Sequence, residues 1–318
     1  MSDTGWARTS VLVTGGSGFL GRHVLRELKA VGAGRLEAPD RSEYDLRDLT
    51  DIRRCLAASR PDVVIHLAAV VGGIEANSKN PGRFFYDNAI MGIQLMEESR
   101  LAGVRKFVVV GTVCSYPKFA RIPFHEEDIW DGYPEETNAP YGLAKKMLMV
   151  QAQAYRQQYG FDAITVIPVN LYGPGDNFDP ATSHVIPALI KKCIDARDLG
   201  RSSIDVWGTG SASREFLHVS DAAVGIVLAA DRYHGPEPAN LGTGQEITVK
   251  DLVAEIAEAT HYRGSVHWDT TRPDGQPRRA LSIDRARERF GFEAVIPFPA
   301  GLRETVKWYE QREARQRS

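Results

Sequence analysis

Long apolar runs are missing from this chain of 318 residues. None approaches the roughly 18–20 residues needed to cross a bilayer, so no membrane role is expected. Cysteine is scarce. Cys55, Cys114 and Cys193 are odd in number, far apart and free of any C-x-x-C pair, so neither a disulfide framework nor a metal site is expected. Charge of one sign is not in excess either: 39 basic side chains face 41 acidic ones, a net charge of −2. Such a balance leaves no electrostatic footprint for nucleic acid or an anionic surface. The opening "MSDTGWARTS" has no apolar core, so no signal peptide is expected. A reduced, cytoplasmic protein is the simplest reading of the cysteine usage. What is present is ordinary globular composition, 43% hydrophobic and 25% charged. The length suffices for one large core or two modest domains.

Strands and helices alternate along the first half. "SVLVTGGSGFLGRHVLRELKAVG" reads as a short strand, a glycine loop and a helix ending at Gly32. "RLEAPD" is a second, shorter strand, and "DLTDIRRCLAASR" a helix with Asp48 or Thr50 as its cap. "DVVIHLAAV" and "KFVVVGT" are strands, separated by the long helix "PGRFFYDNAIMGIQLMEESRLAG". "APYGLAKKMLMVQAQAYRQQYG" is a helix with Pro140 in its first turn and Gly160 at its end. "FDAITVIPVNLYG" reads as one further strand. Apolar strands in this rhythm predict an α/β protein with a Rossmann-like, doubly wound parallel sheet. The rhythm is lost after Tyr172. The expected division is a dinucleotide-binding domain over 1–172, with 214–235 returning to it. Segments 173–213 and 236–318 then form a smaller, mixed α/β substrate domain.

Two patterns carry chemistry. Gly15, Gly18 and Gly21 in "GGSGFLG" form G-x-x-G-x-x-G between the first strand and the first helix. Glycines there let a pyrophosphate approach the backbone at a helix N-terminus. Past the second strand stand both Asp40, an acceptor for a ribose 2′-hydroxyl, and Arg41, suited to a 2′-phosphate. NADP(H) and NAD(H) therefore both remain open on these residues. In "YGLAK", Tyr141 and Lys145 share one helix face. A nearby ammonium is expected to lower the tyrosine's pKa, normally about 10. Such a tyrosine exchanges a proton with a sugar oxygen while hydride moves at the same carbon. Cys114, in "GTVCSYPKFA", lies just past the end of a strand, where it is either a core filler or a reactive thiol.

The loop and the Y-x-x-x-K pair resemble those of extended short-chain dehydrogenases/reductases, with Thr112 where that superfamily has its serine or threonine. Within it, "VGGIEANSKNPGRFFYDN", "CSYPK", "NAPYGLAK", "PVNLYGPGDNF", "SHVIPALIKK", "VWGTGSASREFLHV" and "RPDGQPRR" resemble the GDP-L-fucose synthase family. These enzymes are GDP-4-keto-6-deoxy-D-mannose 3,5-epimerase/4-reductases. The resemblance runs from about Val11 to Arg289. It implies that Cys114 and His184 exchange protons at C3 and C5, and that Thr112, Tyr141 and Lys145 serve the reduction. Carbons beside a ketone are acidified, and a thiol and an imidazole both titrate near enough to neutrality to act on them.

The same resemblance implies cofactor contacts from Gly15, Gly16, Ser17, Gly18, Phe19, Leu20, Gly21, Asp40 and Arg41. Leu67, Ala68, Ala69, Val110, Gly111, Tyr141, Lys145, Pro168, Val169, Asn170, Leu171 and His184 complete that set. It implies a GDP-sugar held by Asn88, Lys192, Trp207, Arg214 and Arg279. It also implies a homodimer, since the equivalent long helices of related enzymes pair into a four-helix bundle. This chain departs from the pattern at Ser17 and Pro39, where the family has candidate NADP-phosphate arginines, and at Lys192, where arginine is expected. NADP(H) remains favoured, and the exact sugar is open. An epimerase without net reduction, resembling GDP-mannose 3,5-epimerase, would have lysine in place of His184. A 4,6-dehydratase would have Asp-Glu in place of Val113 and Cys114. A catalytically silent regulator would not need Thr112, Tyr141 and Lys145.

Overall fold

Near-continuous apolar strands build the centre of the molecule. The computed structural model describes residues 5–72, 79–180, 182–272 and 276–317. β1 (Ser10–Thr14) leads through the glycine loop into α1 (Phe19–Ala30), which stops before Gly32 at φ +78°. β2 (Arg35–Glu37) follows, then α2 (Leu49–Ser59), whose first N–H groups, those of Thr50 and Asp51, bond to the Asp48 carboxylate. This cap agrees with one of the two residues proposed from sequence. β3 (Val63–His66), α3 (Pro81–Leu101), β4 (Lys106–Val110), α4 (Ala139–Tyr159) and β5 (Asp162–Pro168) continue the alternation. Val64, Phe107, Val108 and Val166 are fully buried, each burial contributing about 1.5–3 kcal/mol.

The run expected as one strand after α4 is two. Pro168 has no N–H to extend the ladder. The chain leaves the sheet after Val169, whose N–H still donates to the Leu241 carbonyl, and re-forms as β6 (Asn170–Tyr172) in another sheet. Next come α5 (Val185–Asp198), β7 (Ser203–Trp207), β8 (Ser213–His218) and α6 (Val219–Arg232). The last elements are β9 (Ala239–Leu241), β10 (Glu246–Thr248), α7 (Val249–Ala259), β11 (Ser265–Asp269), α8 (Asp284–Phe290) and α9 (Phe298–Arg317).

Six parallel strands in the order β2-β1-β3-β4-β5-β9 form the large sheet. β8 pairs parallel with β6 and antiparallel with β10, while β7 and β11 form a parallel pair. The expected boundary at residue 236 needs correction. β9 is the edge strand of the large sheet, and Ala286, Phe290 and Phe292 pack into the same core as Val108 and Leu217. Three residues of β9 are too few for period or composition to reveal. The second core joins α5, α7 and α9 through Ile190, Cys193, Leu252 and Tyr309. Chain order reverses between β1 and β3, and this switch point opens a crevice at the strands' C-terminal ends. Among the described residues no helix is long and apolar enough to cross a membrane.

Candidate active site

A cavity of about 1450 Å³ runs from the glycine loop, past the ends of β4 and β5, to the second core. At one end the loop forms a cradle that only glycine can build. Gly15 sits at φ +71°, and a Cβ there would meet the Ala68 nitrogen at 2.8 Å. A Cβ on Gly21 would stand 2.2 Å from the Gly15 oxygen. These clearances match what a pyrophosphate at the start of α1 requires. Gly15, Ser17, Gly18, Phe19, Leu20 and Gly21 line the cavity, as do Leu67, Ala68, Ala69, Val110, Gly111, Pro168, Val169, Asn170 and Leu171. Gly16 does not line it; a Cβ there would lie 2.6 Å from the Ala38 methyl, so its space belongs to the packing against the chain beyond β2.

Asp40 and Arg41 part company. The Ser42 N–H and hydroxyl both donate to Asp40 Oδ1 at 2.9 Å, holding its carboxyl below the ordinary carboxylate range. Asp40 is not on the cavity wall, whereas Pro39, Arg41, Tyr44 and Arg47 are. The expected competitor for a 2′-phosphate is thus engaged within its own turn, while Arg41 and Arg47 face the cavity together with Asp45, to which both are paired.

Thr112, Cys114, Tyr141, Lys145 and His184 all line the same cavity. Thr112 caps a short 3-10 turn over Val113–Ser115, and its Oγ1 accepts the Cys114 N–H at 3.2 Å. That turn rests on α4. Ser115 Oγ donates to the Gly142 carbonyl at 3.0 Å, and a Cβ on Gly142 would lie 2.3 Å from the Cys114 oxygen. The glycine after Tyr141 is therefore what lets the cysteine turn approach the tyrosine's helix. The close contact is tertiary, so nothing in the sequence marks this glycine.

The electrostatics correct one expectation. Tyr141 is not driven towards tyrosinate. Burial, and to a lesser degree the neighbouring Cys114, push its phenol well above the ordinary value. Lys145 is buried too, and desolvation brings its ammonium down to about 8. Beneath it lies a pair the sequence did not single out: Thr14 Oγ1 and His66 Nδ1 are 2.8 Å apart, and burial, with Lys145 nearby, keeps His66 neutral at about 3. His184 stands at the N-cap position of α5 with no side-chain capping bond and is open to the cavity, yet enough protein surrounds it to hold its pKa below the ordinary value by desolvation.

Lys192, Trp207 and Arg214 also line the cavity, and Arg279 lines it beside Cys114. Lys192 Nζ donates to the Asp205 carbonyl at 2.6 Å, and the Arg272 guanidinium lies 5.0 Å from the centre of the Trp207 ring. Lys118 and Gln276 also line it and were not anticipated. Asn88, expected at the substrate, is elsewhere. Its side chain is buried, taking the Val70 N–H at 2.9 Å and donating to the Val70 and Phe84 carbonyls. It fixes the chain beyond β3 to α3, a task that sequence alone cannot distinguish from ligand binding.

The chain matches the NAD dependent epimerase/dehydratase family over residues 11–242. It is 40% identical to the probable GDP-L-fucose synthase 1 of Oryza sativa subsp. japonica over 94% of this chain and 91% of that one. It is 35% identical to the GDP-L-fucose synthase of Escherichia coli K12, over 97% and 99%. Among solved structures it resembles a GDP-L-fucose synthetase from Naegleria fowleri bound to NADP, with TM-score 0.86, 30% identity and coverage of 96% and 94%. The chain is a member of the NAD dependent epimerase/dehydratase family and stands among its GDP-L-fucose synthases.

Proposed function

We propose that this enzyme converts GDP-4-keto-6-deoxy-D-mannose to GDP-L-fucose by 3,5-epimerisation and NADPH-dependent 4-reduction. The observation that carries this reading is one cavity lined by two sets of groups. Cys114 and His184 suit proton exchange at carbon, and Thr112, Tyr141 and Lys145 suit reduction of a ketone. The glycine cradle fits a dinucleotide pyrophosphate, and Arg41, held only loosely by Asp45, fits its 2′-phosphate better than the diverted Asp40 fits a 2′-hydroxyl. When bound, NADPH supplies the hydride that reduces C4.

The chain's own residues handle the protons. Cys114 and His184 work at C3 and C5, whose carbanions delocalise onto the C4 oxygen as an enolate. Thr112 uses its Oγ1 lone pair on the Cys114 N–H and keeps its O–H for that oxygen. A neutral imidazole has one lone pair to receive a proton and one N–H to give, so His184 can complete an exchange that Cys114 begins. In the reduction, Tyr141 gives its phenolic proton to the C4 oxygen. Burial helps here, because it keeps that proton in place across the neutral range. Lys145, still an ammonium below about pH 8, stabilises the phenolate left behind.

The test is incubation with GDP-4-keto-6-deoxymannose and either reduced dinucleotide. We expect stoichiometric loss of NADPH absorbance, slower loss with NADH, and GDP-L-fucose by NMR. A product formed without dinucleotide oxidation overturns the reductase, and a clear preference for NADH overturns the cofactor assignment.

The same reading includes a homodimer. α3 and α4 lie side by side: Gln151 Nε2 donates to the Ile93 carbonyl, and Gly92 faces the Leu148 side chain. Together they leave Phe85, Tyr86, Met147 and Val150 exposed. A two-fold axis would pair this apolar platform with its copy. Sedimentation at micromolar concentration should give twice the chain mass; a monomer would contradict this. Three free cysteines, one of them needed as a thiol, fit a reducing, cytoplasmic setting.

A further inference from the structure

Arg279 stands beside Cys114, with Nη1 4.0 Å from Sγ. The Nε–Nη2 edge of its guanidinium is committed. Nε and Nη2 both donate to Gln276 Oε1, at 3.2 and 3.0 Å. Gln276 is itself buried, and its Nε2 donates to the Lys118 carbonyl at 2.8 Å, on the loop that carries Cys114. The backbone is fixed as well. The Arg279 carbonyl accepts the Glu215 N–H at 3.1 Å, and the fully buried Glu215 carboxylate accepts the Leu281 N–H at 2.7 Å and the Gly244 N–H at 2.8 Å.

This arrangement favours one of two uses of the arginine. A guanidinium grips a phosphate best through a paired edge of two parallel N–H donors. The side-on edge of Arg279, Nε with Nη2, is already taken by Gln276. What remains turned towards the sulfur is Nη1. A fixed cation beside a thiol favours the thiolate, the form that takes a proton from carbon.

We infer that Arg279 is a positioning residue for Cys114, held by Gln276 so that its Nη1 pairs with the thiolate. The thiolate takes the proton from the sugar carbon, the C–H electron pair moves into the enolate at the C4 oxygen, and the sulfur is left as S–H. Arg279 thereby acts through Cys114 and not through the GDP. This rests on the proposed role of Cys114 as base.

The test is the rate of iodoacetamide alkylation of Cys114 near neutral pH, followed peptide by peptide in the ligand-free protein. Arg279→Gln should slow it about tenfold, as expected for removing one charge beside a thiolate. Gln276→Ala should slow it about threefold by freeing the guanidinium, and Arg279→Lys should restore most of the wild-type rate. The buried Cys55 and Cys193 report the fold, and their labelling should stay slow throughout. Should Arg279→Gln fail to fold, Gln276→Ala decides alone. Cys114 alkylation within twofold of wild type in each folded variant would overturn the inference. Deuterium uptake at C3 and C5 by the wild type, measured separately, tests the underlying reading. Its absence would remove the epimerase while leaving the alkylation result to stand by itself.

Discussion

Tyr141→Phe should lower ketone reduction by about 10²–10⁴-fold, the usual contribution of a positioned proton donor. The phenol is buried, and burial holds its proton well above the ordinary value, so no bulk acid replaces it readily. The ring itself remains and the glycine cradle is unaltered, so dinucleotide affinity measured by fluorescence titration should change little. Turnover near that of the wild type would remove Tyr141 from the reduction. The wild-type enzyme also has a signed pH response. Lys145 loses its ammonium as pH rises through about 8, and kcat/KM for reduction should fall there. The phenol, still protonated, should not set that limb.

Cys114→Ser should separate the two chemistries. A serine alkoxide is far too basic to form near neutral pH, so proton exchange at C3 and C5 should drop at least about 10²-fold. Thr112, Tyr141 and Lys145 are untouched, and direct reduction of the unepimerised ketone should persist. In deuterated water, NMR should show product lacking deuterium at C3 and C5 while NADPH is still consumed. Full deuterium incorporation by this variant would return Cys114 to the status of a core filler, as its two buried counterparts are.

Much of this was legible because it is local. The glycine loop, the Asp48 cap, the helix stop at Gly160 and the four-residue spacing of Tyr141 and Lys145 each depend on neighbours in the chain. The errors share the opposite character. Pro168 divides one apolar run between two sheets only because β8 and β9 are waiting on either side. Asn88 is a polar residue near a crevice in sequence terms, but the Val70 and Phe84 backbone groups claim its amide. The direction at Tyr141 is set by burial, and a sequence displays the count of nearby charges but not the depth at which a side chain sits.

Gly142 has a consequence for how the two chemistries can diverge. With no side chain there, the carbonyl of Cys114 settles against the helix bearing Tyr141, and the sulfur and the phenol share one mount. On the proposed function, a sugar seated once would meet both, and its ring would not need to leave between inversion and reduction. Exchanging a side chain silences one reaction and spares the other, whereas bulk at position 142 tilts the whole mount. A descendant enzyme that abandons inversion would therefore be expected to edit the sulfur and keep the glycine.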